Sequence, residues 1–343
     1  MSDALTSALA EALAELAAAV ADGDDEDLRP DTAVKWLENT GHLLGGLPAA
    51  DRGTLGGLLR AAALRHPAGP RRDALLAVPE DLGLTEDPHT AVCADLAHHT
   101  RRFTEAVRHA DPATPVPTRP GWTLADLTRN LGALHHWAAH LVRTRATTRV
   151  LAGDLPLGLP AEPAGYADWL AEGADTAVRT LRETDPEAPV WSPGGDPRAG
   201  SYPPRLLREA LVHLADAEIA VDGEPGPVNP RTAADAVDHL LADLPYAPRA
   251  AEALARLGRD GSAIRLTARD TGAVWTLTPG GGGFAWTRRN RTGADSGAPA
   301  VHVEADAGDL LHLLHGRLPA TAPRFGRTGD DGLLDAWLTA TVA

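Results

Sequence analysis

Apolar residues recur every three or four positions through most of the first 245 residues, a spacing that predicts amphipathic helices. Up to residue 86 these runs are short. An Ala/Leu-rich helix extends to about Val20, and "TAVKWLENTGHLLGGL" and "LGGLLRAAALRH" follow it. Glycine or proline closes each run. We therefore expect a helical N-terminal extension over residues 1–86.

Longer helical patterns fill residues 87–248. The first is "HTAVCADLAHHTRRFTEAVRHADP", and the second, "LADLTRNLGALHHWAAHLVRT", begins after the helix-capping residue Thr123. "AGYADWLAEGADTAVRTLRETDP" is the third, and the fourth contains "LLREALVHLADAE". Four helices joined by long loops predict an antiparallel bundle whose interior can hold a site. A further helix, "PRTAADAVDHLLADL", follows them.

From residue 249 to residue 343 the period changes to two, which is typical of strands. "SAIRLTA", "AVWTLTP", "GFAWTRR" and "APAVHVEA" alternate in this way, and two short helical patterns follow. The glycine run "PGGGGF" lies between two of these strands and lacks the Lys-Ser/Thr of a phosphate loop, so it predicts a hairpin turn. The predicted fold class is mainly α: an N-terminal helical extension, a four-helix bundle and a small α+β domain.

Charge and composition narrow the function classes. A net charge of −15 disfavours nucleic acid and anionic membrane surfaces as partners. No run of about 18 apolar residues predicts a membrane span, and the N-terminus lacks the basic start of a signal peptide. We therefore expect a cytoplasmic protein. Arginine, alanine, glycine and proline abound while Lys35 is the only lysine, which is typical of high-GC genomes such as those of actinobacteria.

Cys93 is the only cysteine, which excludes an intrachain disulfide and a zinc site built from several thiolates. It lies on the apolar side of a predicted helix, where a cysteine is usually a core residue. Thiol chemistry in this protein would therefore need a thiol from outside the chain.

The fourth bundle helix carries the candidate chemistry. Glu209, His213 and Asp216 fall on one side of it, opposite a leucine stripe. This polar side either faces water or lines a cleft. Glu209 and His213 are one turn apart, and a carboxylate and an imidazole suit zinc or another divalent transition metal. A third ligand would have to come from another helix.

The stretches "DPATPVPTRPGWTLADLTRNLGALHHWAA", "LLREALVHLADAE" and "NPRTAADAVDHLL" resemble the mycothiol-dependent maleylpyruvate isomerase family over about residues 88–245. "AVHVEADAGDLLHLLHGRLPA" and "FGRTGDDGLLDAWL" are similar to its C-terminal domain. The resemblance implies a DinB-like metal-binding bundle followed by a sterol-carrier-protein-like α+β domain. Residues 1–84 lie outside it.

The resemblance also implies a divalent metal, usually zinc, held by a histidine of the second helix and by Glu209 and His213. In "DLTRNLG", Asn130 occupies the position of that histidine. An amide oxygen is a harder and poorer zinc ligand than imidazole. Asn130 is therefore expected to bind a metal weakly or through a water molecule. Alternatively, the site prefers a harder ion, or it stays empty. His135 and His136 point about 100° or more away from Asn130 and do not replace the ligand.

The function implied is a mycothiol-dependent isomerase or thiol transferase acting on an activated unsaturated small molecule. Asp216 is expected beside His213, either orienting the imidazole as part of the catalytic set or as an ordinary polar helix residue. Arg205, Arg208 and Trp137 are expected to bind the cosubstrate or substrate; the alternative for the two arginines is that they form ion pairs at the surface. The alternative is a non-catalytic small-molecule binding or resistance protein that has lost the metal site. Residues 1–86 are the expected surface for a protein partner or a self-contact.

Overall fold

A computed structural model describes residues 3–21, 30–45, 47, 49–67, 69–84, 87–290 and 298–342. The chain divides into two compact units, Met1–Ala91 and Val92–Ala343. No helix of the described residues is long and apolar enough to cross a membrane. The predicted boundary between bundle and α+β domain at residues 248 and 249 falls inside the second unit and stays a prediction.

The first unit contains four helices in its described part: α1 (Asp3–Ala21), α2 (Pro30–Gly45), α3 (Ala49–Ala63) and α4 (Pro70–Asp81). Its core is a separate cluster of small and branched apolar side chains. Its largest members are Leu59, Leu75, Leu82 and Leu84. Because alanines from α1 supply much of the remainder, the helices approach closely and the core is thin.

The four-helix bundle consists of α5 (Pro88–Arg108), α6 (Leu124–Thr144), α7 (Tyr166–Glu183) and α8 (Tyr202–Asp222). It belongs to the second unit except for the first four residues of α5. Thr123 caps α6 through a capping box with Asp126, as the sequence predicts. One end of the bundle interior is filled by apolar side chains from all four helices, among them Phe103, Leu131, Leu170 and Leu214. Cys93 is fully buried, which confirms it as a core residue.

Helices α9 (Pro230–Asp243) and α10 (Pro248–Ala255) lead into a five-stranded sheet. Its strands are β1 (Ile264–Ala268), β2 (Ala273–Gly280), β3 (Gly283–Asn290), β4 (Val301–Ala305) and β5 (Gly326–Gly329), with α11 (Ala307–Leu314) before β5 and α12 (Asp331–Thr341) after it. The order is β3-β2-β1-β4-β5, and only the β1–β4 pair is parallel.

The sheet and the bundle share one hydrophobic core within the second unit. Trp275 of β2 is fully buried, and its indole N–H donates to Asp238 of α9 at 2.6 Å. α9 also packs against α11, so the two parts are joined by side chains as well as by the chain.

The mainly helical fold with a small C-terminal sheet is confirmed. The glycine run forms the predicted β2–β3 hairpin, in which Gly281 and Gly282 have φ of 61° and 80°. Helices α4 and α10 and strand β5 were not predicted. β5 is short and reads "GRTG", with no alternation to reveal it.

Candidate functional site

Helix α8 is buried on nearly all sides. Its leucine stripe packs into the core, and two of the three residues on its polar side, His213 and Asp216, are also covered. His213 is 1% exposed and Asp216 is 0% exposed. A histidine and an aspartate buried on one helix need partners, because an unpaired buried polar group costs free energy. These partners define the site.

His213 reaches the second bundle helix, as the resemblance implied. Its Nε2 lies 3.0 Å from Oδ1 of Asn130, and its Nδ1 lies 2.8 Å from the carbonyl oxygen of Glu209 in the previous turn. A carbonyl oxygen only accepts, so Nδ1 carries the proton. Burial lowers the pKa of His213, which favours the neutral ring. Nε2 therefore presents its lone pair to Asn130.

This arrangement places two acceptors face to face, because Oδ1 of Asn130 also presents lone pairs. Two arrangements satisfy the pair. A side-chain amide turned by 180° would donate an N–H to Nε2, or a cation would bind both atoms. Asn130 is exposed, so either state is reachable from solvent. His213 and Asn130 thus form a polar pair in which His213 is buried in the middle of α8 and Asn130 is exposed to solvent.

Glu209 is the third member of the predicted set. Its Oε2 lies 3.9 Å from Nδ1 of His213, and its Oε1 accepts from Arg208 at 3.1 Å. Burial has the largest single effect and raises the pKa of Glu209, but Arg208, His213 and His315 together outweigh it and the pKa falls to about 2. The carboxylate is therefore ionised and held in place by the guanidinium beside it.

Arg208 and Arg205 are not surface arginines. Arg208 is 6% exposed and donates to both Glu209 and Asp243, while Arg205 donates to the other oxygen of Asp243 at 2.7 Å. Asp243, at the end of α9, is a residue that sequence reasoning missed. Asp243 lies in the segment "DHLLADL", whose pattern is that of an ordinary amphipathic helix end, so nothing local indicated its role. It fixes both arginines and, through Arg208, Glu209.

Asp216 was expected either to orient the imidazole of His213 or to be an ordinary polar residue of the helix. In the structure, Nδ1 of His213 faces the carbonyl oxygen of Glu209. The Asp216 carboxylate instead accepts from Thr118 at 2.5 Å, from Arg119 at 3.0 Å and twice from Arg317 at 2.8 Å. Burial would raise its pKa, but these donors lower it. Asp216 joins the loop before α6 to the segment after α11.

Two cavities meet at Glu209. The smaller, about 360 Å³, is lined by Asn130, Trp137, Arg205 and Glu209, so Trp137 does form a wall beside the predicted ligands. Its indole N–H donates to the carbonyl of Val150 at 2.9 Å, which fixes the ring. The larger, about 650 Å³, lies between α8, α9, α10 and the segment after α11. Glu209 and Arg205 line both cavities.

The two neighbouring histidines of α6 are placed elsewhere, as expected. His135 is fully buried, with Nδ1 2.9 Å from the carbonyl of Leu131 and Nε2 3.3 Å from the hydroxyl of Thr100. His136 stacks on Trp169 of α7 with ring centroids 4.7 Å apart. Both are packing residues.

The side chains at this spot determine which metal ion they would suit. No group of three His, Cys, Asp or Glu side chains suited to a metal occurs in the part of the chain that the structure describes. A third donor at this spot has to be the amide oxygen of Asn130. A set of one imidazole and two oxygens suits a divalent ion that accepts hard ligands, rather than a zinc site rich in nitrogen and sulfur.

Residues 93–218 match the sequence model of the mycothiol maleylpyruvate isomerase N-terminal domain. The matched segment contains the whole Asn130–Glu209–His213 arrangement. A search of curated proteins found no match.

The solved structures that are similar to this chain match it with TM-scores below 0.5. A mycothiol-dependent maleylpyruvate isomerase is 16% identical with a TM-score of 0.44, covering 71% of this chain and 93% of its own. A single-substitution mutant of that enzyme is 15% identical with a TM-score of 0.44, covering 68% and 90%. A stereoselective inverting sec-alkylsulfatase from Pseudomonas sp. is 15% identical with a TM-score of 0.25, covering 92% and 45%. Similarity at this level carries no inference about activity.

Proposed function

We propose that the protein is a mycothiol-dependent, metal-assisted isomerase or thiol transferase that acts on an activated unsaturated small molecule. One observation carries the proposal. Inside the segment that matches the family model, Asn130 and His213 meet from different helices, and Glu209 shares a cavity wall with Asn130. Cys93 is buried, so the thiol would come from the cosubstrate.

The facing lone pairs of His213 Nε2 and Asn130 Oδ1 fit a bound cation. His213, Asn130 and Glu209 would hold it. A divalent metal there supplies positive charge that lowers the pKa of a nearby thiol and favours the thiolate. Glu209, with a pKa of about 2, is a poor proton acceptor at neutral pH, so its part is that of an anionic ligand rather than a general base.

The reaction balances without a further reagent. The thiolate sulfur bonds to one alkene carbon, and the π electrons move to the carbon next to the activating carbonyl. The former double bond is now single and rotates. Return of the electron pair expels the thiolate and restores the alkene as the other isomer. In a transferase, a proton captured on that carbon would keep the adduct. The walls formed by Trp137 and Arg205 would orient the reactants.

The direct test is bound metal, measured by elemental analysis and by titration of the protein made without a histidine tag. We expect one divalent ion per chain, lost in His213→Gln and weakened in Glu209→Gln. Asn130→His should tighten zinc by at least about tenfold, because imidazole replaces an amide oxygen. Glu172→Gln, at an exposed position of α7, is the control and should leave binding unchanged.

Binding of the cosubstrate needs a separate measurement. Mycothiol at millimolar concentration should raise the melting temperature of the metal-loaded protein, since a ligand that binds only the folded state stabilises it. A native protein that holds no ion and shows no mycothiol shift, while Asn130→His gains one ion, would overturn the enzyme proposal. That result would support a binding protein that has lost the family's metal.

A further inference from the structure

A third cavity of the second unit has a volume of about 330 Å³. It lies between the first half of α6 and the loop of residues 145–165 that joins α6 to α7. Two tryptophans, Trp122 and Trp169, line it, and it shares Asn130 with the cavity beside Glu209. We refer to it below as the tryptophan cavity.

The ring of Trp169 is held in one orientation. Its indole N–H donates to the carbonyl of Leu157 in the loop at 2.8 Å. The same ring stacks on His136 of α6, with the ring centroids 4.7 Å apart. Because these contacts are already made, the ring loses little conformational freedom when a ligand packs against it.

Trp122 is also fixed. Its backbone N–H donates to the carbonyl of Arg119 at 3.0 Å, and its own carbonyl accepts from Val116 at 2.9 Å. The guanidinium carbon of Arg119 lies 4.8 Å from the centroid of the indole ring, and this guanidinium is in turn bound to Asp216. The two indoles therefore form preorganised aromatic walls.

Most of the remaining lining is apolar. Leu157 and Leu159 come from the loop, and Ala133 and Ala152 complete this wall. Leu159 is 43% exposed, so a ligand in the cavity would cover apolar surface that now faces water. Fixed indoles and leucines around a small concave space suit a flat apolar molecule, and aromatic rings gain further stabilisation from stacking on indole.

The charges in the lining cancel. Asp126 and Arg129 are the charged side chains among the lining residues, and they bind each other at 2.8 Å. Asp126 is further occupied by the capping box of α6. An ionic ligand would lose its hydration here without gaining an unpaired counter-ion, which costs free energy. The cavity therefore favours a neutral ligand.

Two neutral polar groups of the lining have capacity for hydrogen bonds. The indole N–H of Trp122 has no acceptor among the described residues. One polar atom of the Asn130 amide faces His213, and its other polar atom has no partner in that same part of the chain. A hydroxyl group both donates and accepts, so it can pair with the amide whichever way the amide is turned.

We infer that the tryptophan cavity binds a small neutral hydroxyaromatic molecule of one or two rings. Its rings pack between Trp122, Trp169 and Leu157, and its hydroxyl group bonds to Asn130. A volume of about 330 Å³ is at the lower end of the range for small-molecule sites, which matches a ligand of this size. The site requires neither a metal nor mycothiol.

The test is calorimetric titration of the full chain, without added metal or thiol, using 1-naphthol as the probe. We expect one molecule to bind per chain. Decahydro-1-naphthol, which has the same hydroxyl group on saturated rings, should bind several-fold more weakly because it cannot stack on indole. Added salt should not weaken the binding of 1-naphthol, since the ligand is uncharged.

A substitution that fills the cavity locates the site. Gly153 lines the cavity, and a Cβ there meets nothing within 4 Å. Gly153→Phe should therefore fold normally and weaken 1-naphthol by at least about tenfold, because its ring occupies the ligand's place. Gly57→Phe is the matched control, since a Cβ at Gly57 is equally unobstructed and Gly57 lies on α3. It should leave binding unchanged.

Two further measurements test the chemistry of the site. Trp122→Leu keeps an apolar side chain and should weaken 1-naphthol several-fold, because the aromatic wall is lost. The anion 1-naphthoate should bind the native protein and Gly153→Phe equally, because the lining offers it no unpaired cation. Any 1-naphthoate bound by both proteins then occupies another site.

Four results would overturn the inference. These are no heat of binding up to the solubility limit of 1-naphthol, equal affinities of the native and Gly153→Phe proteins, equal losses in Gly153→Phe and Gly57→Phe, or equal affinities for 1-naphthol and its saturated analogue. The outcome is separate from that of the proposed function. A protein that binds 1-naphthol in this way but holds no metal would uphold the cavity inference and reject the metal site.

Discussion

Asp216 is a fully buried charge whose four hydrogen bonds come from residues distant in sequence. Its two cationic partners, Arg119 and Arg317, are also largely covered, with side chains 25% and 6% exposed. Removing one member of a buried ion pair leaves its partners with uncompensated charge. A substitution of Asp216 is therefore a suitable test of how much these buried ion pairs contribute to the free energy of unfolding.

We expect Asp216→Asn to lower the free energy of unfolding by about 3 kcal/mol, because Asn keeps a hydrogen bond but not the charge. Urea denaturation measures this. Asp196→Asn is the control: Asp196 pairs with Arg198 at the surface, where both side chains are nearly half exposed, and its loss should cost less than about 1 kcal/mol. Equal losses in the two variants would contradict the buried-pair interpretation.

Sequence reasoning found part of this site. The turn spacing of Glu209 and His213, with the resemblance, identified the pair and its neighbour Asn130, and the structure brings His213 and Asn130 into contact. Asp243 and Arg317 were missed, since Arg317 lies 101 positions from Asp216 and no local pattern joins them. Helical periodicity places Asp216 on the polar side of α8 but says nothing about which distant donors reach it.

Helices α6 and α7 pack closely at two glycines, each of which leaves room for an aromatic ring of the other helix. A Cβ at Gly132 of α6 would overlap the indole of Trp169 on α7, and one at Gly173 of α7 would overlap the imidazole of His136 on α6. The two rings stack between the glycines, and His136 Nε2 donates to the carbonyl of Trp169 at 3.2 Å. The close approach of these helices therefore depends on missing side chains.

We expect Gly132→Ala to destabilise the protein by about 2 kcal/mol, although alanine is the better helix former, because the added methyl overpacks the interface. Gly57→Ala on α3 is the control: a Cβ there meets nothing within 4 Å, so it should be neutral or stabilise by up to about 1 kcal/mol. Thermal and urea denaturation compare them. A Gly132→Ala protein as stable as the native one would show that α7 can move away freely.

His135 of α6 gives the bundle a pH dependence. Burial lowers its pKa from 6.5 to about 4, helped by the neighbouring His213 and His136 and opposed by its hydrogen bond to Leu131. The unfolded chain therefore takes up the proton first as the pH falls. The stabilisation that depends on a neutral His135 is complete above about pH 6.5 and is lost progressively down to about pH 4. His312, with a pKa lowered by burial to about 4, acts in the same direction.

The free energy of unfolding should therefore fall between pH 7 and pH 4.5, and His135→Gln should make this fall shallower. His109→Gln, at an exposed position near the end of α5, is the control and should leave the slope unchanged. Urea titrations at several pH values measure it. An unchanged slope in His135→Gln would place the pH dependence elsewhere.

At the scale of the whole molecule, the two units have separate cores. A chain of residues 87–343 should thus fold by itself and unfold cooperatively, because it keeps the bundle, the sheet and the core they share. Circular dichroism on heating measures this. Aggregation, or a melt without a cooperative transition, would show that the second unit needs the first. The cytoplasmic location and a partner for residues 1–86 stay predictions.

The four hydrogen bonds at Asp216 also limit which C-terminal segments could replace the one in this protein. Exchanging the C-terminal segment with that of a relative would separate Asp216 from Arg317, so the donor must carry an arginine at the equivalent place. Without one, Asp216 would keep only its bonds to Thr118 and Arg119 and would lose two of its four hydrogen bonds. Asp216 and Arg317 are therefore expected to be kept or replaced together, although different parts of the gene encode them.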